Sequence, residues 1–308
     1  MMRFMGILVF LATMFTAVDV SAQPTTLPWN PGSNVTQVVS FSGSFVLTSD
    51  IWTSSGDGIV INASNVTLDL NGFSVYASGV ACTPATRGNS CTGTGTRAGI
   101  RINGSYVTVK NGRVWGWNGD GINVSQATGN GTGITLQNLQ VHDNNNNGIY
   151  AGVAANTRGQ IVLDNVIANN NGGNGILGVG VTGSKVAAVG NNGQGINLFG
   201  ALTDSYAGYN KSTGILSNGG SLSDDVAIGN GDGFNVNGAA LNLTALSNLN
   251  NGVNSGQGSI LNSASDGNAA GFALNPSTCY LFVETYGNTV TPLTGGAGAT
   301  GSSPNCLF

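Results

Sequence analysis

The chain has 308 residues, of which 40% are hydrophobic, only 7% are charged and 50 are glycine, and its formal net charge is −4 at pH 7. Soluble domains usually carry about 25% charged residues, so this composition indicates a fold with many tight turns, while its regular apolar pattern argues against disorder. No basic stripe is present to neutralise phosphates, which excludes nucleic acid as an expected partner.

The first 22 residues have the pattern of an export signal. Arg3 supplies a positive start, an apolar run follows from Phe4 to Val18, and the small residues up to Ala22 are typical of a cleavage site. We expect the mature chain to begin at Gln23 and to be secreted, with an extracellular or periplasmic location. No later segment approaches about 18 consecutive apolar residues, so no membrane span is expected.

Residues 23–57 are irregular, with one strand-like run from Ser42 to Thr48, and we expect them to cap the fold. From Gly58 onward, each repeat begins with a glycine and an apolar residue that opens a short strand. The repeat glycines are Gly58, Gly99, Gly121, Gly148, Gly175, Gly195, Gly214, Gly233, Gly252 and Gly271, and the last five are 19 residues apart. A fixed period of this size indicates units that bury their apolar face by stacking on their neighbours.

Each repeat contains three short runs of alternating apolar residues separated by Asn, Ser and Gly, a pattern typical of strands and turns. We therefore predict an all-β, single-domain, right-handed parallel β-helix of about ten to twelve coils over residues 58–290. Two wide repeats, from Gly121 and Gly148, carry extra loops at 126–131 and 154–158. The predicted inward ladder is Ile59, Ile100, Ile122, Ile149, Ile176, Ile196, Ile215, Phe234, Val253 and Phe272.

Four cysteines lie in the expected mature chain. An even number in an exported protein favours disulfides, and their placement suggests two local pairs, Cys82–Cys91 and Cys279–Cys306. The first pair falls in an insertion, residues 77–98, and the second would tie back a C-terminal tail, residues 291–308. A metal site fits the spacing less well, because no CxxC motif occurs and His142 is the single histidine.

Two segments carry a resemblance to a known group of proteins. They are Val66-Thr67-Leu68-Asp69-Leu70-Asn71-Gly72-Phe73 and Val107-Thr108-Val109-Lys110-Asn111-Gly112. The chain resembles exported bacterial right-handed parallel β-helix repeat proteins of the pectin-lyase-like superfamily over nearly its whole mature length. That superfamily includes polysaccharide lyases, polygalacturonases, phage tailspikes and adhesins, so the resemblance implies the fold and leaves the function to the site residues.

The first candidate site is the row formed by the second residue after each repeat glycine, here called the first outer row. Its members are Val60, Arg101, Asn123, Tyr150, Leu177, Asn197, Leu216, Asn235, Asn254 and Ala273. Arg101, Asn123 and Tyr150 would stand side by side as ligand-binding residues. A cation, an amide and an aromatic ring in a groove suit a polysaccharide, and an ordinary solvated face is the alternative.

A second row carries most of the charge. Its predicted members are Asp69, Lys110, Gln137, Asp164, Lys185, Asp204 and Asp224 with Asp225. We expect Asp204, Asp224 and Asp225 to lie close together, as candidate catalytic acid–base groups or as calcium ligands. The alternative is charge pairing of Asp164, Lys185 and Asp204 along the stack. The assignment depends on the register, because a slip of one residue sends a side chain to the opposite face.

The catalytic motifs of the superfamily are mostly missing. Polygalacturonase-like enzymes carry Asn-Thr-Asp, Asp-Asp, Gly-His-Gly and Arg-Ile-Lys in successive coils, and this chain has only Asp224-Asp225 in a comparable place. Pectate-lyase-like enzymes imply an acidic calcium site and a basic residue, for which Lys211 is the candidate.

These observations favour a non-catalytic, glycan-binding or cell-surface protein whose partner is a polysaccharide or a cell-surface glycan. A polysaccharide lyase or glycosidase acting on acidic polysaccharide is the first alternative, and a structural spacer or adhesin is the second. The residues require no cofactor and leave calcium binding open. The oligomeric state does not follow from the sequence.

Trp115 and Trp117 lie two residues apart, which places them on the same face if both belong to one strand. With Arg113 beside them, they are candidates for a platform that stacks on sugar rings. The alternative is packing into the core beneath the insertion.

Overall fold

The structure, a computed structural model, describes residues 25–26, 35–124, 133–152 and 161–298. These residues form strands and turns without a helix, wound into a right-handed parallel β-helix of about 12 turns. The predicted fold class is confirmed. The described part of the chain contains no helix of the length and hydropathy that a membrane crossing requires.

The strands fall into three groups along the chain. The N-terminal strands are β1 (Thr25–Thr26), β2 (Gln37–Val39), β3 (Gly43–Val46), β4 (Ile51–Trp52), β5 (Ile59–Ile61), β6 (Val66–Asp69), β7 (Ser74–Tyr76), β8 (Ala81–Thr83), β9 (Ser90–Thr92) and β10 (Ile100–Ile102). The central strands are β11 (Val107–Trp115), β12 (Ile122–Val124), β13 (Ile134–His142), β14 (Ile149–Ala151), β15 (Ile161–Asn169), β16 (Ile176–Ser184), β17 (Ala187–Val189), β18 (Ile196–Thr203), β19 (Tyr206–Gly208) and β20 (Thr213–Ser217). The C-terminal strands are β21 (Ser221–Ser223), β22 (Val226–Ile228), β23 (Asp232–Leu241), β24 (Thr244–Leu246), β25 (Asn251–Leu261), β26 (Ala264–Asp266), β27 (Ala270–Leu281), β28 (Glu284–Tyr286) and β29 (Thr291–Gly298).

The core is the inward ladder that the sequence predicts. Each member pairs in register with its counterpart one coil away, from Ile59 through to Phe272. All ten side chains are completely buried. Because burying one such side chain stabilises a protein by about 1.5–3 kcal/mol, this ladder is a main source of the fold's stability.

The repeat glycines are required for close packing between coils. A Cβ atom at Gly214 would lie 2.6 Å from Nδ2 of Asn230 and 2.8 Å from the carbonyl oxygen of Gly233. The other repeat glycines from Gly58 to Gly252 likewise meet the carbonyl oxygen of the next repeat glycine, and none of the ten repeat glycines has a positive φ. These positions therefore exclude a side chain because no space is left for it, and not because the backbone needs a turn conformation.

At one corner of the coils, the chain changes direction at a single residue that has a left-handed backbone conformation. The members of this left-handed corner are Asn111, Asn138, Asn165, Lys185, Asp204, Asp224, Asn242, Asn262 and Phe282, with φ between 46° and 61°. Asparagine and aspartate reach this conformation more readily than other side chains, which explains their frequency here. The chain passes through the corner without leaving the sheet, so strands such as β11 cover two faces.

Asparagines form a buried ladder at the turn before the repeat glycines from Gly148 to Gly271. The members of this asparagine ladder are Asn144, Asn171, Asn191, Asn210, Asn230, Asn248 and Asn268. Asn210 is typical: its Oδ1 accepts bonds from the backbone and side-chain nitrogens of Asn191 at 3.0 and 2.9 Å, and its Nδ2 donates to Asn230 and to the Ala188 carbonyl at 2.9 Å. The ladder satisfies turn groups that the coil would otherwise bury without partners.

The insertion, residues 77–98, forms a strap along the corner that contains the asparagine ladder. Its antiparallel strands β8 and β9 place Cys82 opposite Cys91, and the predicted disulfide between them is confirmed. The strap crosses several coils: the nitrogen of Asn89 donates to the Gly190 carbonyl at 2.8 Å, and that of Gly88 donates to the Tyr209 carbonyl at 2.9 Å.

The strand stack extends beyond the expected repeat region at both ends. β2 pairs in register with β5, so residues 37–52 already form a coil, and β29 pairs with β27 past residue 290. The expected signal segment, the two wide-repeat loops and Cys306, the expected partner of Cys279, lie outside the described residues.

Candidate functional site

The first outer row is continuous in the structure. Its backbone pairs run from Val60 through Arg101, Asn123 and Tyr150 to Ala273, one member per coil. Adjacent coils in a parallel sheet lie about 4.8 Å apart, so neighbouring side chains in this row can contact one ligand.

Arg101 and Asn123 line a surface pocket of ≈ 430 Å³, here called the Arg101 pocket. Gly95 and Thr96 of the strap contribute to its wall. The remaining lining residues are Asn118, Gly119, Asp120, Asn145 and Asn146. The pocket therefore forms where the strap passes beside the first outer row.

Arg101 is fixed by Asp57, the residue before the first repeat glycine. Its Nε donates to Oδ2 at 2.7 Å and its Nη2 donates to Oδ1 at 3.1 Å. The hydrogen bond to Asp57 raises the pKa of Arg101, against an opposing effect of burial, and the charges of Asp57 and Asp120 add to it. Among the described residues these bonds use Nε and Nη2, which leaves the Nη1 protons for a ligand.

Asp120 organises the amides of the pocket. Its Oδ2 accepts from Nδ2 of Asn123 at 2.6 Å, and its Oδ1 accepts from Nδ2 of Asn146 at 2.9 Å and from both nitrogens of Asn147 at 3.0–3.1 Å. The side chain is buried. A carboxylate with this many donors is suited to holding its neighbours in place rather than to accepting a substrate proton.

Two carbonyl oxygens at the pocket lack a donor. Oδ1 of Asn118 and Oδ1 of Asn123 are buried, and no described residue donates a hydrogen bond to either. A buried acceptor without a donor costs about 1–3 kcal/mol, so both favour a ligand that donates. The pocket is lined by one guanidinium, Arg101, and one carboxylate, Asp120, and the charge of Arg101 is already paired with Asp57. This balance of charge disfavours an anionic ligand.

Tyr150 follows Asn123 in the row but does not line the Arg101 pocket. Its ring lies over Gly152. The structure therefore brings two of the three predicted ligand-binding residues together and adds Asn118 and Asp120, which the sequence analysis did not identify. The sequence does carry a signal for Asp120, because Asp57 and Asp120 both directly precede a repeat glycine.

The predicted second row is wrong from Lys185 onward by one residue. Asp69, Lys110, Gln137 and Asp164 do pair in register, but Asp164 pairs next with Ser184. Lys185, Asp204 and Asp224 occupy the left-handed corner instead. The expected charge pairing of Asp164 with Lys185 is also absent from the described ion pairs, since Asp164 accepts from Gln137 at 2.9 Å.

Asp204, Asp224 and Asp225 do not share one outward site. Asp225 is completely buried, and it accepts from the backbone nitrogens of Ser205 at 2.9 Å and Ser223 at 3.2 Å. Burial raises its pKa to about 7, with smaller contributions from the charges of Asp204 and Asp224.

Asp224 is exposed, and hydrogen bonds from Ser223 and Asn242 lower its pKa. The searched residues, all within the described ranges, include no group of three or more His, Cys, Asp or Glu placed to hold a metal ion. Lys211, the candidate basic residue, is exposed after β19 and lies beside Gly88 of the strap.

Trp115 and Trp117 lie on different faces, contrary to the prediction. Strand β11 ends at Trp115 and Gly116 has a φ of 78°, so the alternation stops before Trp117. Trp117 is completely buried and donates from Nε1 to the Val75 carbonyl at 3.1 Å. Trp115 faces outward, in register with Tyr76 and His142.

Tyr76, Trp115 and His142 form an aromatic stack. The ring centroids of Tyr76 and Trp115 are 4.8 Å apart with planes 5° from parallel, and those of Trp115 and His142 are 6.1 Å apart with planes 6° from parallel. Nδ1 of His142 lies 2.8 Å from Oδ2 of Asp143, which fixes the imidazole. This stack lies on the third strand face of the coils, formed by β7 and the C-terminal parts of β11 and β13. The Arg101 pocket lies on the first face, formed by β5, β10 and β12.

Comparison with solved structures identifies other proteins of the same fold. The A-module of the Azotobacter vinelandii mannuronan C-5 epimerase AlgE4 matches with a TM-score of 0.50 and 16% identity, over 84% of this chain and 91% of that one. The receptor binding domain of the siphovirus 9NA tailspike matches with a TM-score of 0.52 and 8% identity, over 90% and 74%. These likenesses concern the fold alone.

Pectate lyase Pel9A also matches, with a TM-score of 0.49 and 14% identity over 92% of this chain and 72% of that one. No protein-family model and no curated protein matches the chain.

Proposed function

We propose that this protein binds a neutral glycan in the Arg101 pocket and does so without cleaving it. The observation that carries the proposal is the pair of buried acceptors, Oδ1 of Asn118 and Oδ1 of Asn123, beside the Nη1 donors of Arg101. Sugar hydroxyl groups donate and accept at once, so one sugar residue can serve both kinds of partner.

The charges of the pocket support a neutral ligand. Asp57 compensates Arg101, and Asp120 adds a further negative charge close to where the ligand would lie. A uronate carboxylate would be repelled there, and a like charge placed against a buried one is costly. The acidic polysaccharide of the enzyme alternative is therefore disfavoured at this site.

Two carboxylates, Asp120 in the pocket lining and Asp57 bonded to Arg101, support binding over catalysis. Asp57 accepts from Arg101 and from the Ala98 nitrogen, and Asp120 accepts four hydrogen bonds. A general base must be within reach of the proton it removes and free to take it. A recognition role also agrees with the use of this fold in a tailspike receptor binding domain.

Calorimetric titration of the purified protein with oligosaccharides tests the proposal. Chitohexaose, mannohexaose and laminarihexaose serve as neutral probes, and oligogalacturonate and oligomannuronate serve as acidic ones. We expect at least one neutral probe to bind, with an affinity that falls at least tenfold in Asn123→Ala. Asn235→Ala, which removes an amide from the same outer row in a distant coil, is the matched control and should bind as the native protein does.

Two outcomes would contradict the proposal. One is binding restricted to the acidic probes or equally weakened by both variants. The other is that the protein shortens a polysaccharide. Size-exclusion chromatography of the polysaccharide, after incubation with the protein with and without calcium, detects this shortening. Shortening that is lost in Asp224→Ala or Asp225→Ala would favour the enzyme alternative.

A further inference from the structure

We propose a second carbohydrate site at the open end of the aromatic stack, where a pyranose ring takes the place of a fourth ring beyond His142. It shares its ligand class with the proposed function, but it lies on the third strand face and uses none of the residues of the Arg101 pocket.

The geometry of the stack leaves one usable ring face near this end. Trp115 is covered by Tyr76 on one side and by His142 on the other, with all planes within about 6° of parallel. Its faces are therefore unavailable to a ligand. No further aromatic ring of the described residues stacks on the other side of His142, where Asn169 of the next coil follows in register and both residues line a pocket.

In the next coil, the position that continues the aromatic stack is occupied by Asn169, which has no ring. His142 pairs in register with Asn169, and Asn169 pairs with Val189, so the aromatic series stops at His142. A pocket of ≈ 170 Å³ lies at this point, lined by Gln140, Val141, His142, Ile167, Asn169 and Asn170. The pocket thus begins where the stack ends.

The lining matches the two sides of a sugar ring. The open face of His142 offers a surface for the C–H groups of a pyranose, and Ile167 extends that surface. The amides of Gln140 and Asn170 offer donors and acceptors for hydroxyl groups. Asn169 offers its Nδ2 donor, since its Oδ1 accepts from the Val189 nitrogen at 3.2 Å. The His142–Asp143 contact of 2.8 Å fixes the ring in advance, which reduces the entropic cost of binding.

His142 is the single histidine of the sequence, so its imidazole signals in a nitrogen–proton NMR spectrum need no assignment. The native protein is titrated with chitohexaose, mannohexaose and laminarihexaose. We expect a saturable shift of the imidazole signals with at least one of them. The same shift should persist in Asn123→Ala, because that variant alters only the Arg101 pocket.

Asn169→Tyr supplies the missing ring and should abolish the shift by filling the site. Leu246→Tyr, which adds the same ring at an outward position of the same row four pairings further along, is the matched control and should leave the shift intact. Gln140→Ala provides a second variant that does not depend on accommodating a new ring, and it should weaken the affinity at least fivefold.

Three results would overturn the inference. They are the absence of a shift with every probe, a shift that Asn169→Tyr and Gln140→Ala both leave unchanged, and a shift that disappears in Asn123→Ala. The last result would assign the signal to the Arg101 pocket. A different result would retain this site and contradict the proposed function. In that case Asn123→Ala keeps both the shift of the His142 signals and the native affinity in calorimetric titration.

Discussion

The coils from Gly58 to Gly195 and those from Gly195 to Gly271 share one core but differ in outline. Repeat glycines are 20 to 41 residues apart in the first group and 19 apart in the second. The inward ladder runs through both groups, and the asparagine ladder also extends into both. The strap, the Arg101 pocket and the aromatic stack, however, are all built from chain segments of the first group.

This difference separates the residues that hold the coil from those that form sites. A parallel stack requires the same small set of contacts in every coil, so glycine, asparagine and an inward apolar residue recur. Sites require differences between neighbouring coils, and these arise where the spacing is irregular. The regular coils contain only the contacts that the fold requires, whereas the irregular coils also contain the strap, the Arg101 pocket and the aromatic stack.

The largest predicted effect concerns the two tryptophans of the irregular coils. Trp117→Ala should destabilise the protein by about 3–5 kcal/mol, because it leaves a large cavity and removes the bond to the Val75 carbonyl. Trp115→Ala removes only a half-buried ring and should cost about 1 kcal/mol. Urea unfolding followed by circular dichroism measures both. Equal losses would mean that the aromatic stack belongs to the core.

The asparagine ladder should make a large contribution to the free energy of unfolding in the regular coils. Asn210→Ala leaves several buried groups without partners, and we expect a loss of about 3 kcal/mol or more. Asn235→Ala, an outward amide nearby, should stay within about 0.5 kcal/mol of the native protein. A loss below about 1 kcal/mol for Asn210→Ala would show that the ladder is not required.

Asp225 is an exception within the regular coils and predicts an unusual pH dependence. Its pKa is about 7 in the folded protein and 3.8 ordinarily, so between these values the folded state binds the extra proton. Its contribution to stability is therefore full at about pH 4 and is lost as the pH rises through 7. Between pH 4 and pH 7 we expect the melting temperature of the native protein to fall by roughly 5 °C more than that of Asp225→Ser.

Serine is the matched replacement at this position. Ser205 and Ser263 occupy the equivalent place in other coils and accept from the backbone nitrogens of Val186 and Leu243 at 3.1 Å. Parallel pH profiles of the melting temperature for the two proteins would contradict the raised pKa of the buried Asp225 carboxyl group. Calorimetric melts in buffers of equal ionic strength provide the comparison.

The smallest predicted effect is at the left-handed corner. Lys185→Asn should stabilise the protein by about 0.5–1 kcal/mol, because asparagine reaches this backbone conformation at lower cost than lysine. It would also continue the side-chain bonds that Asn165 and Asn138 form in the preceding coils, at 2.9 Å between them. The reverse change, Asn165→Lys, should lose a similar amount. Thermal melts measure both variants. If Lys185→Asn does not raise the melting temperature and Asn165→Lys does not lower it, this explanation of the corner is wrong.

The sequence predicted the features that repeat and missed those that depend on a turn. The inward ladder and the first outer row were found because each position is counted from a nearby glycine. Lys185 was misplaced because a loop of different length separates it from that anchor, and the left-handed corner moves the next residue inside. Trp117 was misplaced because Gly116 ends the strand alternation.

The Arg101 pocket was only half predicted for a different reason. Arg101 and Asn123 belong to the periodic row, whereas Asn118 and the strap residues meet them through contacts that no period describes. The path of the strap depends on long-range packing. Local sequence patterns carry no information on where such a segment lies.

The strap also changes how the coils can come apart. In a solenoid each coil contacts only its neighbours, so unfolding can begin at an end and spread one coil at a time. Here the strap joins coils that do not touch: Nδ2 of Asn145 donates to the Gly93 carbonyl, and Arg87 donates to the carbonyl of Gly229, 142 residues along the chain. We therefore expect the coils between these contacts to unfold as one cooperative unit, and the strap to oppose the loss of coils from either end.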